Sequence, residues 1–429
     1  MLNTKKTVRC GLDRLGDSGF KELAGLRFGL IANPSSVDSK FQHAIDLLFH
    51  GVDRAAGKGL VRLFGPEHGL RGALQDMVGE HDFVDPQTGL PVVSLYGNSE
   101  RSLAPRPEHL QDLDAIVFDL QDIGCRYYTF AQTLAYVMEV AKTLAKRVIV
   151  LDRVNPIGGE LVEGALLEEA CISFCGYFPF PNRHGLTVGE LAKLMNSGLT
   201  IGSHSRAGIG CDLQVVPVEG WERSRYIDEL NTPWVLPSPN MPSCDTSVVY
   251  PGTCLLEATN LSEGRGTTKP FEIIGAPFLN GEKWAEATLA QGLELKGVVL
   301  RPLSFIPKFS KWADKLCGGV QIHVTDRAQF QPFRTGLALR SAAAPVAPLE
   351  FSWRAGAYEF IDSTPAIDLL YGSSAFRQTV EKKHSLTELL PAIHAYEQSF
   401  TTLKKHFTSI EADCRSKTHS RKKLVSVVD

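Results

Sequence analysis

The chain has 429 residues, 43% hydrophobic and 22% charged, with a formal net charge of -3. That length suits two domains, each able to bury its own core, and the composition excludes extensive disorder. A charge so near balance gives no basic field to hold nucleic acid, although residues 404–423 concentrate Lys and Arg in what reads as a solvated helix end or frayed terminus.

Residues 1–10 carry basic side chains with no apolar run of signal-peptide length behind them, and no later run is long enough to span a bilayer. The expectation is a cytoplasmic protein without stable membrane insertion, periplasmic or secreted if a leader has been removed. An apolar run over 26–33 reads as a strand and ends in Pro34-Ser35-Ser36; Ala44, Leu47, Leu48 and Phe49 then have helical spacing. Further strands are expected over 60–64, 91–96, 115–119 and 148–152, with a helix over 129–144 between the last two. Near-continuous Val/Ile/Leu runs separated by helices predict an α/β fold, a Rossmann-like parallel sheet covered on both faces. Polar and glycine-rich segments follow each strand, so in a parallel sheet they converge on one edge. The three-glycine dinucleotide fingerprint is absent, replaced by Asn33-Pro34-Ser35-Ser36-Val37, and no cofactor is expected.

The proline-rich stretch 232–242 cannot be regular helix and reads as an extended crossing between domains. The boundary is placed just after it, giving an amino-terminal domain over 1–247 and a smaller domain over 248–429. In the second, 319–325 alternates like a strand and 386–403 is helical, which predicts α+β. Nine cysteines lie scattered, mostly in apolar contexts, and read as reduced, buried thiols. Cys171 and Cys175 lack a second ligand pair, so no metal site is expected.

Three segments could carry chemistry. Gly65-Pro66-Glu67-His68-Gly69, continued by Leu70-Arg71-Gly72, offers a carboxylate at a strand's carboxyl end, where open α/β sheets hold ligands. Asp119-Leu120-Gln121-Asp122-Ile123-Gly124-Cys125-Arg126-Tyr127-Tyr128 gathers two carboxylates, an amide, a guanidinium and two phenols on one strand-to-helix turn. Arg126 could grip a substrate carboxylate there in bidentate fashion. Gly264-Arg265-Gly266-Thr267-Thr268 has the make-up of an anion-cradling loop, with Glu257 a few residues upstream. Arg183 and His184 form a further cluster, beside Thr187 and Glu190 in the spacing of a helix capping box.

Taken in order, these segments resemble the NamZ family of exo-β-N-acetylmuramidases, glycoside hydrolases of peptidoglycan recycling. The likeness also runs through Asp152-Arg153 with Asn155-Pro156-Ile157-Gly158-Gly159, Pro237-Ser238-Pro239-Asn240, and residues 257–271, and fades beyond Arg377. Val154 stands where the family more often has proline, and Ala258 where it usually has glycine. The resemblance implies a Rossmann-like domain, a smaller carboxy-terminal domain and an active site in the cleft between them. It also implies release of N-acetylmuramic acid (MurNAc) from the non-reducing ends of peptidoglycan-derived saccharides.

Glycoside hydrolysis needs a proton for the leaving oxygen and, normally, a second carboxyl group across the bond. Glu67 is the expected acid/base; its partner is expected to be Asp119 or Asp122, with Glu257 next. Asp122 could instead orient the substrate's 2-acetamido group. Arg126, Arg183 and Arg265 are the candidates for the lactyl carboxylate. His68, Arg71, Gln121, Tyr128, Asp152, Arg153, His184, Asn155, Asn240 and Asn260 complete the expected substrate-binding set. Two other readings remain open: a nucleotide- or phosphosugar-dependent transferase, and a non-catalytic muropeptide-binding protein.

Overall fold

The computed structural model describes residues 7–72, 74–75 and 77–408, together with the backbone of 426–427. The basic tail beyond residue 408, and with it Cys414, lies outside the side chains described. From the amino terminus come α1 (Gly11–Asp17), β1 (Arg27–Ala32), α2 (Ala44–Gly51), β2 (Gly59–Gly65), β3 (Phe83–Val84) and β4 (Pro91–Ser94). Next are α3 (Pro107–Leu110), β5 (Ala115–Asp119), α4 (Phe130–Thr143), β6 (Arg147–Leu151), α5 (Val188–Ser197), the β7 (Gly198–Ile201) and β8 (His204–Ala207) hairpin, and β9 (Asp212–Val216).

The main sheet has the order β3-β4-β2-β1-β5-β6-β9, and every pairing is parallel except that of the short edge strand β3. Period-two alternation divides its side chains between two cores. Ile116 and Phe118 of β5 and Val148 and Val150 of β6 face one cluster with α4 and α5, whereas Ala115, Val117, Ile149 and Leu151 face the other with α1 and α2. Both faces are buried, which is why these strands read as continuous apolar runs. The chain leaves β1 for β2 on one side and returns to β5 on the other, in register from Phe28↔Ala115 to Ala32↔Asp119. A crevice therefore opens at the carboxyl ends of β2, β1 and β5.

The second half supplies α6 (Cys244–Thr253), β10 (Ile273–Ala276), α7 (Gly281–Leu289), β11 (Val298–Phe305), β12 (Cys317–Val324), α8 (Pro332–Val346), α9 (Ala366–Tyr371), α10 (Ala375–Glu381) and α11 (Leu390–Thr408). Its three strands form an antiparallel sheet in the order β10-β12-β11. The helix expected over 386–403 begins as a separate 3-10 turn, Leu386–Leu389, before α11. The larger core cluster runs without a break from the main sheet into Trp284, Phe333, Leu369 and Phe400, so the two halves share apolar interior. All eight described cysteines are buried and unpaired. Among the described residues no helix is long and apolar enough to cross a membrane, and no cluster of side chains could hold a metal ion.

Candidate active site

After β2 the chain folds back on itself, with the Gly69 amide donating to Pro66 O at 2.9 Å and the Gly72 amide to Gly69 O at 3.2 Å. His68 adopts φ 71° and Gly69 φ 76°. A Cβ on Gly69 would lie 2.6 Å from the Glu80 carboxylate, so glycine is required there by space as well as by backbone sign. The turn delivers Glu67, only 6% exposed, into the crevice. There the Thr129 hydroxyl, at the start of α4, donates to Glu67 Oε2 at 2.6 Å. His68 lines the same space, its ring anchored by Nδ1 donating to Leu74 O at 3.1 Å.

The opposite wall comes from the second half. Glu257 sits in the 3-10 turn Cys254–Ala258 that continues α6. Arg265 Nη2 donates to its Oε1 and the Tyr358 hydroxyl to its Oε2, each at 2.6 Å. Arg265 also reaches Glu263 at 3.2 Å, and Lys311 Nζ donates to Glu263 at 3.0 Å. Burial works to raise the Glu263 carboxyl's pKa, but Lys311 and Arg265 outweigh it and hold it below its ordinary value. Two cations and two carboxylates thus nearly neutralise one another. Glu359 is the third carboxylate of the cleft, and Tyr96 donates its hydroxyl to Glu359 Oε2 at 2.8 Å. Burial raises the thiol pKa of Cys175 well above its usual value, and the fields of Glu359, Glu257 and Glu67 add to that.

Between these walls lies a narrow cleft with a cavity volume of about 40 Å³, lined by Glu67, His68, Tyr128, Glu257, Arg265 and Glu359 among others. Ser238 and Met241, from the proline-rich crossing, complete the floor. That crossing is braced on the first half by Asn33 Nδ2 donating to Pro237 O at 3.0 Å and Asn240 Nδ2 donating to Gln75 Oε1 at 2.8 Å.

Several side chains expected in the site form its framework instead. Both oxygens of Asp119 accept from Arg153, at 2.6 and 2.9 Å, and the pair is fully buried. Arg153 Nη2 also donates to Val37 O. Neither residue lines the cavity. Arg126 is wholly buried and donates to the carbonyls of Ala165, Phe180 and Leu370, and Arg183 is held by Glu163, Ile157 O and the Tyr226 hydroxyl. Neither can meet a lactyl carboxylate. Arg71 turns outward to Asp85 and Gln87. Asp152 accepts from the Gly189 amide and the Thr187 hydroxyl at the start of α5, where Thr187 and Glu190 form the expected capping box. Gln121 braces Asp122 O and Val154 O, Asn155 ties Ile157 N to Leu186 O, and Asn260 ties Ser352 N to Glu350 O. The Gly264-Arg265-Gly266 loop is no anion cradle, because its guanidinium is engaged by Glu257 and Glu263.

Asp122 takes an intermediate position. Its Oδ2 accepts from the Gly124 amide at 2.6 Å and lies 3.4 Å from His184 Nε2. His184 Nδ1 accepts from Leu186 N, so Nε2 carries the ring proton. Asp122 Oδ1 is buried and has no hydrogen-bond partner among the described residues. Asp122 does not line the cavity, yet it acts on the Tyr128 phenol, whose pKa burial raises.

Thr129, Ser238, Tyr358 and Glu359 were not singled out by the sequence. Thr129 directly follows the Asp119–Tyr128 motif and could have been included in it. Tyr358 stands 101 residues beyond Glu257, with Glu359 next to it and no glycine-rich signal beside them.

Sequence models described as exo-beta-N-acetylmuramidase NamZ match the chain over residues 28–245 for the N-terminal part and 248–409 for the C-terminal part. The chain is 42% identical over 405 residues to the peptidoglycan beta-N-acetylmuramidase NamZ of Bacillus subtilis (strain 168), covering 94% of this chain and 91% of that protein. Two crystal structures of DUF1343 family proteins from Bacteroides fragilis NCTC 9343 are similar. The first is 32% identical with a TM-score of 0.80, and the second, at 24% and 0.69, supports the fold alone; each comparison covers 93% of this chain and 98% of the other. With both halves matched and the cleft between them built from its characteristic segments, the chain belongs to the NamZ family.

Proposed function

We propose that this chain is an exo-acting β-N-acetylmuramidase that hydrolyses terminal non-reducing MurNAc from peptidoglycan fragments or MurNAc-GlcNAc disaccharides. The observation that carries this reading is the narrow cavity with Glu67 on one wall and Glu257 and Glu359 on the other. Carboxyl groups on facing walls of one cleft are what glycoside cleavage requires. The name carried by the Bacillus subtilis relative agrees with this reading.

Glu67 is assigned the proton delivered to the leaving oxygen, with Thr129 fixing the carboxyl group's orientation. Glu257, gripped by Arg265 and Tyr358, is immobile and anionic, suited to stabilising positive charge on the sugar ring. Asp122, behind the cavity wall with its Oδ2 held by the Gly124 amide, is assigned a supporting role beneath Tyr128. We place the division between the two domains at residue 247, just after the proline-rich crossing. Eight buried, unpaired thiols suit a reducing compartment, which favours a cytoplasmic enzyme acting on soluble fragments.

The test is incubation with MurNAc-β-1,4-GlcNAc and, separately, with the GlcNAc-first disaccharide, followed by mass spectrometry of the released sugars. Free MurNAc from the former alone is expected. Release from neither by folded protein would overturn the reading.

A further inference from the structure

The loop joining β11 to β12, residues 306–316, is folded against the segment that carries Glu257 and Arg265. Its Lys308 amide donates to Gly266 O at 2.9 Å, and Trp312 Nε1 donates to Asn260 O at 2.6 Å. A Cβ on Gly266 would lie 2.5 Å from Phe309 N, so the two segments meet backbone to backbone. Ser310, Trp312 and Asp314 hold positive φ of 65°, 61° and 59°, conformations that contacts of this kind must maintain. Between these anchors the loop places Lys311, whose Nζ meets Leu256 O at 3.1 Å, Glu257 O at 3.4 Å, Leu261 O at 3.0 Å and Glu263 Oε2 at 3.0 Å. Leu256 and Glu257 lie in the 3-10 turn that ends the α6 run, where carbonyls lack helical partners and attract a cation.

The ammonium also governs how Arg265 divides its charge. Arg265 reaches Glu263 through Nε at 3.2 Å and Glu257 through Nη2 at 2.6 Å, with its guanidinium carbon 5.0 Å from the centre of the Phe271 ring. A guanidinium between two carboxylates is drawn toward the less neutralised of them. Burial works against charge on Glu263, and of the two cations that overcome it Lys311 contributes more than Arg265. With Glu263 neutralised at its other oxygen by Lys311, the shorter bond of Arg265 goes to Glu257.

We propose that Lys311 is a positioning residue for the active site: it holds the Glu257 turn by its carbonyls and, by neutralising Glu263, keeps Arg265 on Glu257. The inference rests on the hydrolase reading above and deepens it, because that reading sets Glu257 beside the positive charge developing on the sugar ring. Lys311 does not line the cavity, so it acts on the reaction only through Glu257 and Arg265.

The test measures kcat, KM and Tm on MurNAc-β-1,4-GlcNAc for Lys311→Gln and for the same variant combined with Glu263→Gln. Gln keeps N–H donors for the carbonyls and removes the charge, so Lys311→Gln should lose about 10- to 100-fold in kcat with KM little changed. Neutralising Glu263 as well removes the carboxylate that competes for Arg265, and the double variant should recover most of the lost rate. A purely mechanical brace predicts no recovery, since the second substitution only weakens further buried bonds. A folded Lys311→Gln that keeps more than about a third of wild-type kcat would overturn the inference while leaving the hydrolase reading standing, as would a folded double variant no faster than the single one. If the single variant folds poorly, the double variant, balanced in charge, decides alone: kcat near wild type supports the inference and a loss of about tenfold or more overturns it. No MurNAc release by the wild-type chain would defeat the hydrolase reading itself, and this inference with it.

Discussion

Buried carboxylates have different partners in this molecule, and the partner decides what each can do. Glu67 has a neutral hydroxyl on one oxygen, so it can exchange a proton, whereas Asp119 is locked between two guanidinium nitrogens. Glu67→Gln keeps the shape and removes the exchangeable proton. Its kcat should fall about 10²–10⁴-fold with no change in Tm, measured by disaccharide turnover and calorimetry. Arg153→Leu should behave in reverse: it leaves Asp119 charged, buried and unpaired, at a cost of about 3–5 kcal/mol. A large drop in denaturation midpoint is expected, and a variant as stable as wild type would contradict the framework role. The position of Glu67 in the crevice was legible in the sequence because a glycine-bounded loop after a parallel strand lies at that edge of the sheet. Arg126, Arg183 and Asp119 misled because the same residue types are needed to satisfy carbonyls and charges in buried loops.

Elements here are joined at points where chemistry and packing are both tight. At the start of α5, Asp152 accepts from Gly189 and Thr187 while fully buried, and burial, reinforced by Glu190, raises its pKa to about 6. Because that value lies above the unfolded one, the group's contribution to stability is complete below about pH 4 and is lost as pH rises through about 6. Asp152→Asn should flatten this part of the stability profile, measured as urea midpoint against pH, and an unchanged slope would reject the account. Farther along, α6 and α8 cross at glycines: a Cβ on Gly252 would lie 1.9 Å from Pro332 O, and one on Gly336 2.2 Å from Gly252 O. Gly252→Ala should therefore destabilise by at least about 2 kcal/mol through forced separation of the two helices. A Tm equal to wild type would show that the crossing can relax.

At the scale of the whole molecule, the site belongs to neither half alone. Glu67, Thr129 and Tyr96 come from the sheet half, and Glu257, Arg265, Tyr358 and Glu359 from the other. The larger core cluster also crosses residue 247. A fragment ending there should consequently lose cooperative unfolding, because cutting the chain would expose apolar surface now buried against Trp284 and Phe333. A fragment with a sharp, native-like thermal transition would show that the halves are energetically independent.

The sequence by itself determined the main sheet, because strands buried on both faces must be apolar along their length and loops at their carboxyl ends must be polar. It also determined the placement of Glu67, and Thr187 with Glu190 as a helix cap, since both depend on contacts within a few residues. Only the tertiary structure decided which polar side chains face the cavity. Tyr358 and Glu359 line the same cavity as Glu67 from nearly 300 residues away, and no local pattern encodes that approach. Glu359 and Phe360 both have positive φ, and their strained turn runs against local preference; it is held by Phe360 packing on Tyr96 and Tyr358 bonding to Glu257, contacts that exist only once both halves have folded together.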